Sequence, residues 1–145
     1  MEWSEMVGAA VLIFDERGRL LLIKRTDNGL WGLPGGAMEP GESLVQTAAR
    51  EAKEEVGLDV EALQLFEVFS GPELWYRYPN GAEVYNVTVV YQTDKAAGRI
   101  QLGEEEHFAY QYFALDDLPD DTSPPVRPVL DLLVKSHNGH RRQAP

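Results

Sequence analysis

Three glutamates, Glu51, Glu54 and Glu55, carry the strongest chemical signal in the chain, within the stretch Gly35–Leu58, GGAMEPGESLVQTAAREAKEEVGL. On a helix, positions three and four apart share one line along the surface. Glu51 and Glu55 then form a like-charge pair one turn apart, which costs about 0.2–0.5 kcal/mol in an isolated helix. Partial burial strengthens the repulsion and raises carboxylate pKa values. A divalent cation removes both problems, because hard oxygen ligands suit Mg²⁺, Mn²⁺ or Ca²⁺. The alternative is an ordinary solvated acidic face. Such a face more often sets each Glu against a Lys or Arg at i+4. Here Arg50 and Glu54 have that spacing, while Lys53 points away. The spacing favours a cation site.

These side chains need a helix with defined ends. Ser43 and Gln46 form a capping box, which predicts a helix starting near Leu44. Gly57 fits the left-handed position past its end, with Leu58 as the apolar partner that follows. Leu44, Val45, Ala48, Ala49, Ala52 and Val56 make one apolar stripe, and the three glutamates border it. Gln46, Arg50 and Lys53 lie opposite, toward water.

The loop Thr26–Glu42 holds Gly29, Gly32, Gly35, Gly36 and Gly41 with Pro34 and Pro40. Gly-rich segments before a helix can cradle phosphate through backbone N–H groups. This one lacks the Lys-Ser/Thr of a P-loop and the spacing of a dinucleotide fingerprint. Arg25, at the edge of the loop, is either a solvated or ion-paired charge or a phosphate contact, for which its planar fork is suited. Trp31 is either a core residue of the loop or a platform for a base.

Flanking segments supply the scaffold. VGAAVLIF (7–14), a DERG turn and LLLIKR (20–25) read as a hairpin with a largely buried first strand. Pro79-Asn80-Gly81 marks a turn between 73–78 and 83–93, a second hairpin rich in aromatics. Alternation over Glu83–Val89 gives that strand one buried face. Lys95–Arg99 reads as a loop, Phe108–Leu115 as a strand and Asp116–Pro119 as a short turn. Residues 126–137 carry the spacing of an amphipathic C-terminal helix. Glu104-Glu105-Glu106, just before a strand, reads as a solvated loop. Strands, a helix, more strands and a last helix imply an α/β protein with a mixed sheet between helices.

Composition sets the limits. With 145 residues, 43% apolar and 26% charged, the chain is expected to form one globular domain, 1–145, with its core at about 7–135. The tail 136–145 is expected to be frayed. No apolar run approaches the ~18–20 residues of a membrane span, and MEWSEM lacks the basic region of a signal peptide, so the cytoplasm is the default compartment. The absence of cysteine excludes disulfides and thiolate metal sites, and His107, His137 and His140 show no zinc spacing. A net charge of −11 repels nucleic-acid backbones and anionic membranes. A small anionic substrate remains compatible if metal bridges it to the acids. Exposed aromatics of the second hairpin could line a site or a homodimer surface.

Gly36, Glu42 after five residues, Arg50-Glu51 after seven more, then Glu54-Glu55, Gly57 and Leu58 resemble the full Nudix box. Ala52 is small for the bulkier apolar position of that pattern. LLLIKR, WGLPGG and YFALDDLP also look like Nudix sequence. The resemblance implies an α/β/α sandwich and a metal-dependent hydrolase that cleaves the pyrophosphate of a nucleoside diphosphate linked to another moiety, using Mg²⁺ or Mn²⁺. It implies that Glu51 and Glu55 bind metal, that Glu54 does so directly or through water, and that the Gly36 carbonyl completes the shell. It casts Glu42 and Arg50 as a structural brace. It raises Glu106, with Glu105 second, as a further acid recruited from the loop before the late strand. Glu54 is the favoured general base, with Glu106 or Glu105 as alternatives.

The same resemblance allows a non-catalytic Nudix-fold module that senses nucleotide ligands, although such modules often lose box acids that this chain keeps. The related isopentenyl diphosphate isomerase would require a cysteine. Nucleotide sugars like ADP-ribose, dinucleoside polyphosphates, nucleoside triphosphates and 5′-triphosphorylated RNA are the candidate substrates, with long RNA disfavoured by the acidic surface.

Overall fold

A computed structural model describes residues 4–77, 80–103 and 106–143. In chain order the elements are β1 (Ser4–Ile13), β2 (Leu20–Arg25), β3 (Trp31–Gly32), β4 (Gly35–Ala37), α1 (Leu44–Val56), β5 (Asp59–Glu61) and β6 (Gln64–Phe69), followed by β7 (Trp75–Arg77), β8 (Glu83–Thr93), β9 (Lys95–Ala97), β10 (His107–Phe113) and α2 (Arg127–Gln143). One mixed sheet runs β4-β1-β8-β6, with β7 also on β8; a second runs β10-β2-β3; β5 and β9 form a small ladder.

β1 and β2 carry consecutive apolar residues because both faces of each are covered, the pattern of strands sandwiched between helices. On one side Val11, Ile13, Leu21 and Ile23 pack with Ala48, Ala52 and Val56 of α1. On the other, Leu12, Leu20 and Leu22 pack with Val129, Leu130 and Leu133 of α2. Full burial of such side chains is worth about 1.5–3 kcal/mol each. The expected α/β/α sandwich with a mixed sheet is the observed architecture. No helix among the described residues is long and apolar enough to cross a membrane.

Four local expectations fail for physical reasons. β1 and β2 do not form a hairpin ladder. Their turn closes, with Gly18 N–H on Asp15 O at 3.0 Å and a bridge between Phe14 and Leu20, and the strands then part into different sheets. β1 instead pairs in parallel with β8, from Ser4↔Val84 to Ile13↔Thr93. Lys95–Ala97 is a strand, because β5 lies alongside to satisfy its backbone. Val45 is exposed, since α1 presents Thr47, Ala48 and Val56 to the core. α2 runs on through 136–143, where a frayed tail was expected; past Leu133 its described side chains are only half-buried or exposed. The aromatic hairpin is present as β7 on β8, Trp75↔Tyr85 to Arg77↔Glu83. Tyr78 and Pro79, part of its expected turn, lie outside the described residues.

Small residues bring the Gly-rich loop close to the sheet. β4 lies antiparallel on β1, Gly8↔Ala37 to Ala10↔Gly35. A Cβ on Gly8 would come 2.5 Å from the Gly36 carbonyl oxygen, and one on Gly35 would come 2.6 Å from the Ala9 carbonyl oxygen. Only glycine permits this approach.

Candidate active site

The site is built on α1, whose ends are fixed by its own sequence. Ser43 Oγ accepts from Gln46 N–H at 3.1 Å, and Gln46 Oε1 accepts from Ser43 N–H at 2.8 Å. Gly57, at φ 75°, donates its N–H to Lys53 O at 3.0 Å. The capping box and the left-handed end both form where the spacing predicts them.

Glu42 and Arg50 tie the loop to the helix. Arg50 donates to Glu42 through Nε at 2.6 Å and Nη2 at 3.0 Å, and Nη2 also reaches Ala37 O at 3.0 Å. Glu42 further accepts from Glu39 N–H at 3.0 Å and from the hydroxyl of buried Thr47 at 2.8 Å. The Arg50 hydrogen bonds hold the Glu42 carboxyl down at about 2. The same guanidinium donates through Nη1 to Glu51 at 2.9 Å and to Glu54 at 3.2 Å. Arg50 therefore faces the acids rather than open water, and it orders Glu42, Glu51 and Glu54 at once.

The acids occupy different environments. Glu55 is buried, and its Oε2 accepts from Gly35 N–H at 2.9 Å. Desolvation pushes its pKa up to about 8 against the pull of that hydrogen bond, and the Glu51 and Glu106 charges add to the rise. Glu51 is also raised, by desolvation, with Arg50 opposing. Its carboxylate packs on Gly36, where an added Cβ would meet Oε1 at 2.5 Å. Glu54 stands more open, its side chain 58% exposed.

Gln101 and Gly103 are tied to the end of α1, and His107 to Gly103. Gln101 N–H donates to Val56 O at 2.8 Å, Gly103 N–H to Glu55 O at 3.1 Å, and His107 N–H to Gly103 O at 3.2 Å. Thr26 N–H donates to Glu106 O at 2.9 Å, which links the start of β10 to the end of β2. As a result Glu55, Glu106 and His107 place one ligand atom each within 4.8 Å of one another. His107 is 4% exposed, and its Nδ1 has no hydrogen-bond partner among the described residues. Desolvation lowers its pKa, which favours the neutral ring. Glu105 lies outside the described residues.

Arg25 holds Asp27 in a bidentate pair, at 3.0 and 2.9 Å, and lines a cavity of about 260 Å³. Gly35 and Gly36 form part of the same wall; among the described residues the acids do not line the cavity, but Glu55 and Glu51 contact these two glycines. Ala9, Ala10 and Leu33 give it apolar surface, and Asn28, Asn86 and Ser123 give it polar surface. Ser123 Oγ is buried without a partner among the described residues. Trp31, a predicted substrate platform, sits elsewhere. It is 9% exposed, edge-on to Phe113 at 5.1 Å, with Lys24 Nζ 5.2 Å from its ring. An indole has more apolar area to bury than the loop could leave wet, and the core beside α2 takes it.

The structure thus brings Glu55 and Glu106 together with His107, sets Glu51 against Gly36, ties Glu54 to Arg50, places Arg25 on the cavity wall and sets Trp31 in the core. Sequence spacing missed His107 and Ser123. No local pattern links residue 107 to residue 55, and the available hint was only that His107 follows a predicted acid at a strand start.

The donor set fits a divalent cation. Two carboxylates are desolvated beside further acids, and a buried imidazole nitrogen lacks a partner among the described residues. An α/β/α sandwich with acids of α1 meeting the start of β10 defines a protein with a candidate cation site on a loop-helix unit. A family model for the NUDIX domain matches residues 5–133, and the chain belongs to that family. It is 34% identical over 110 residues to an ADP-ribose pyrophosphatase of Methanocaldococcus jannaschii, covering 74% of this chain and 61% of that protein. The chain therefore matches less than two thirds of that relative's length. The crystal structure of a MutT NUDIX hydrolase from Burkholderia pseudomallei has 32% identity and a TM-score of 0.75, covering 88% of this chain and 97% of that one. The NUDIX domain of Shewanella oneidensis NrtR, solved with ADP ribose, shares the fold at 20% identity, with a TM-score of 0.71 over 92% of this chain and 88% of that one.

Proposed function

We propose that the protein hydrolyses the pyrophosphate linkage of a nucleoside diphosphate joined to another moiety, with Mg²⁺ or Mn²⁺. The observation that carries this is the grouping of Glu55, Glu106 and His107, with Glu51 packed on Gly36, next to a cavity whose wall includes the Gly35-Gly36 backbone. A divalent cation held there offsets the charge of the diphosphate and makes a bound water more acidic. Glu51 and Glu55 would be its main ligands, with the Gly36 carbonyl and Glu106 available to complete the set. Because these carboxyls must be ionised to bind, burial couples their deprotonation to cation uptake.

Arg50 fixes the direction of Glu51 and holds one oxygen of Glu54. Glu54, open to water on its other side, takes the proton from the attacking water as general base. Arg25, oriented by Asp27, contacts the phosphate at the cavity mouth. The cavity receives the nucleoside, its apolar floor against the base and its amide and hydroxyl groups against the polar edge. ADP-ribose is the first candidate, since an ADP-ribose pyrophosphatase is among the relatives; dinucleoside polyphosphates and nucleoside triphosphates follow.

A substrate panel containing these compounds, run with Mg²⁺, Mn²⁺ or EDTA and read by nucleotide release, tests the proposal. Turnover that stops with EDTA is the expected result. A protein that binds ADP-ribose but cleaves nothing in the panel would be a ligand-sensing module, and the hydrolase reading would be lost.

A further inference from the structure

We propose that His107 is a nitrogen ligand to the divalent cation, acting with Glu55 and Glu106, and that the site therefore selects Mn²⁺ or another borderline ion over Mg²⁺. The inference rests on the cation site proposed above and adds a donor of a different kind.

His107 is 4% exposed and its Nδ1 lacks a partner among the described residues. A buried polar atom is nearly always satisfied, so an orphan calls for an unseen ligand or water. A ring nitrogen of His107 lies within 4.8 Å of carboxylate oxygens of both Glu55 and Glu106. Ligands about 2.0–2.2 Å from one ion stand about 3–4 Å apart, so a modest rotation closes the set. Glu106 is exposed and free to make that rotation, while Glu55 is held by Gly35 N–H and His107 by its backbone bond to Gly103.

The strand itself directs the ring. The β10–β2 register breaks between His107 and Ala109. Such bulges re-aim a side chain at the edge of a ladder. The result turns His107 inward while Phe108 faces solvent at 57% exposure. Imidazole is a poor ligand for Mg²⁺, which prefers oxygen donors and water, and a better one along the series from Mn²⁺ through Fe²⁺ to Co²⁺. A set of two carboxylates and one imidazole accordingly shifts preference away from Mg²⁺.

The direct test is electron spin echo envelope modulation on the intact protein loaded with Mn²⁺. The expected spectrum shows ¹⁴N modulation from a coordinated imidazole that changes to the ¹⁵N pattern when histidine is ¹⁵N-labelled. Isothermal titration of the parent and of His107→Gln and His107→Leu gives the second readout. Mn²⁺ affinity should fall about 10–100-fold in His107→Leu, and Mg²⁺ affinity by a smaller factor, so the Mn²⁺/Mg²⁺ ratio drops. Bound Mn²⁺ without histidine coupling in the parent, which needs no variant to fold, overturns the proposal and leaves the carboxylate site standing. An unchanged Mn²⁺/Mg²⁺ ratio in a folded His107→Leu protein overturns it as well. No Mn²⁺ binding at all would remove both this ligand and the cation site it rests on.

Discussion

Glu55→Gln tests the electrostatic core of the site without measuring catalysis. In the metal-free protein the Glu55 carboxyl is raised from 4.5 to about 8, chiefly by desolvation. An acid whose folded pKa exceeds its unfolded value stays protonated in the folded state while the unfolded chain ionises. Folding stability therefore falls as pH rises from about 4.5 to about 8 and stays reduced above that. Integrating that shift between pH 5 and pH 8 gives a loss of about 3–4 kcal/mol. Glutamine cannot ionise, and its carbonyl can keep the bond from Gly35 N–H. The variant should match the parent at pH 5 within about 1 kcal/mol and exceed it by about 3–4 kcal/mol at pH 8. His107, held low by desolvation, works with the opposite sign up to its unfolded pKa, so the parent-to-variant difference is the quantity to follow. Urea unfolding in EDTA at pH 5, 6, 7 and 8, followed by circular dichroism, supplies it. Adding Mg²⁺ at pH 8 should stabilise the parent by mass action and leave the variant nearly unmoved. Parallel stability curves for the two proteins from pH 5 to pH 8 would refute the claim that a desolvated carboxylate is stored at this position.

Further outcomes follow from the same geometry. Glu54→Gln should lower kcat by about 10²–10⁴ with little change in Mn²⁺ affinity, whereas Glu106→Gln should weaken Mn²⁺ binding; steady-state kinetics paired with titration calorimetry separates the two. Arg50→Ala releases Glu42, Glu51 and Glu54 together and should cost about 10–100-fold in metal affinity or activity. The Arg50 hydrogen bonds depress the Glu42 pKa, so their stabilisation is present above about 4.5 and fades as pH falls toward 2; Glu42→Gln should flatten acid unfolding over that window. Gly36→Ala puts a methyl group 2.5 Å from Glu51 Oε1 and should weaken cation binding while thermal unfolding changes little. Leu22→Ala, in the α2-facing core, should cost about 2–5 kcal/mol by urea unfolding, with the Mn²⁺ affinity of the folded protein kept.

The parts legible in the sequence are those specified by neighbours along the chain. The caps of α1 lie within fifteen residues of each other and local spacing fixes them, whereas the Glu42–Arg50 brace was legible only through the family resemblance, because periodicity alone sets Arg50 toward water. The partition of β1 and β2 into separate sheets was not legible. Their turn residues encode only the reversal, while the parallel ladder to β8 depends on residues some eighty positions away. Trp31 could be read as core or platform until the packing of Phe113 and α2 was known. His107 was invisible for the same reason: its relation to Glu55 exists through the hydrogen bonds of Gly103, not through any spacing. Glu106 became a candidate only by resemblance, since an acidic run before a strand has a bland explanation.

The parallel ladder between β1 and β8 also bears on how the protein is made. Its ten registered positions join the first described residues to a strand that ends at Thr93, and β10 must still follow to bring Glu106 to Glu55. During synthesis at about 5–20 residues per second, α1 and the strands β1, β2 and β4 leave the ribosome several seconds before β8 and β10. Over that interval the helix has its caps and the strands it packs on, but neither the β8 partner of β1 nor the last acid. Contacts of such long sequence separation fold slowly, because loop closure precedes their reward. The Gly-rich loop and acid helix should thus gain their final order only after residue 107 has emerged, and a nascent chain arrested earlier should hold neither the cation nor the cavity wall.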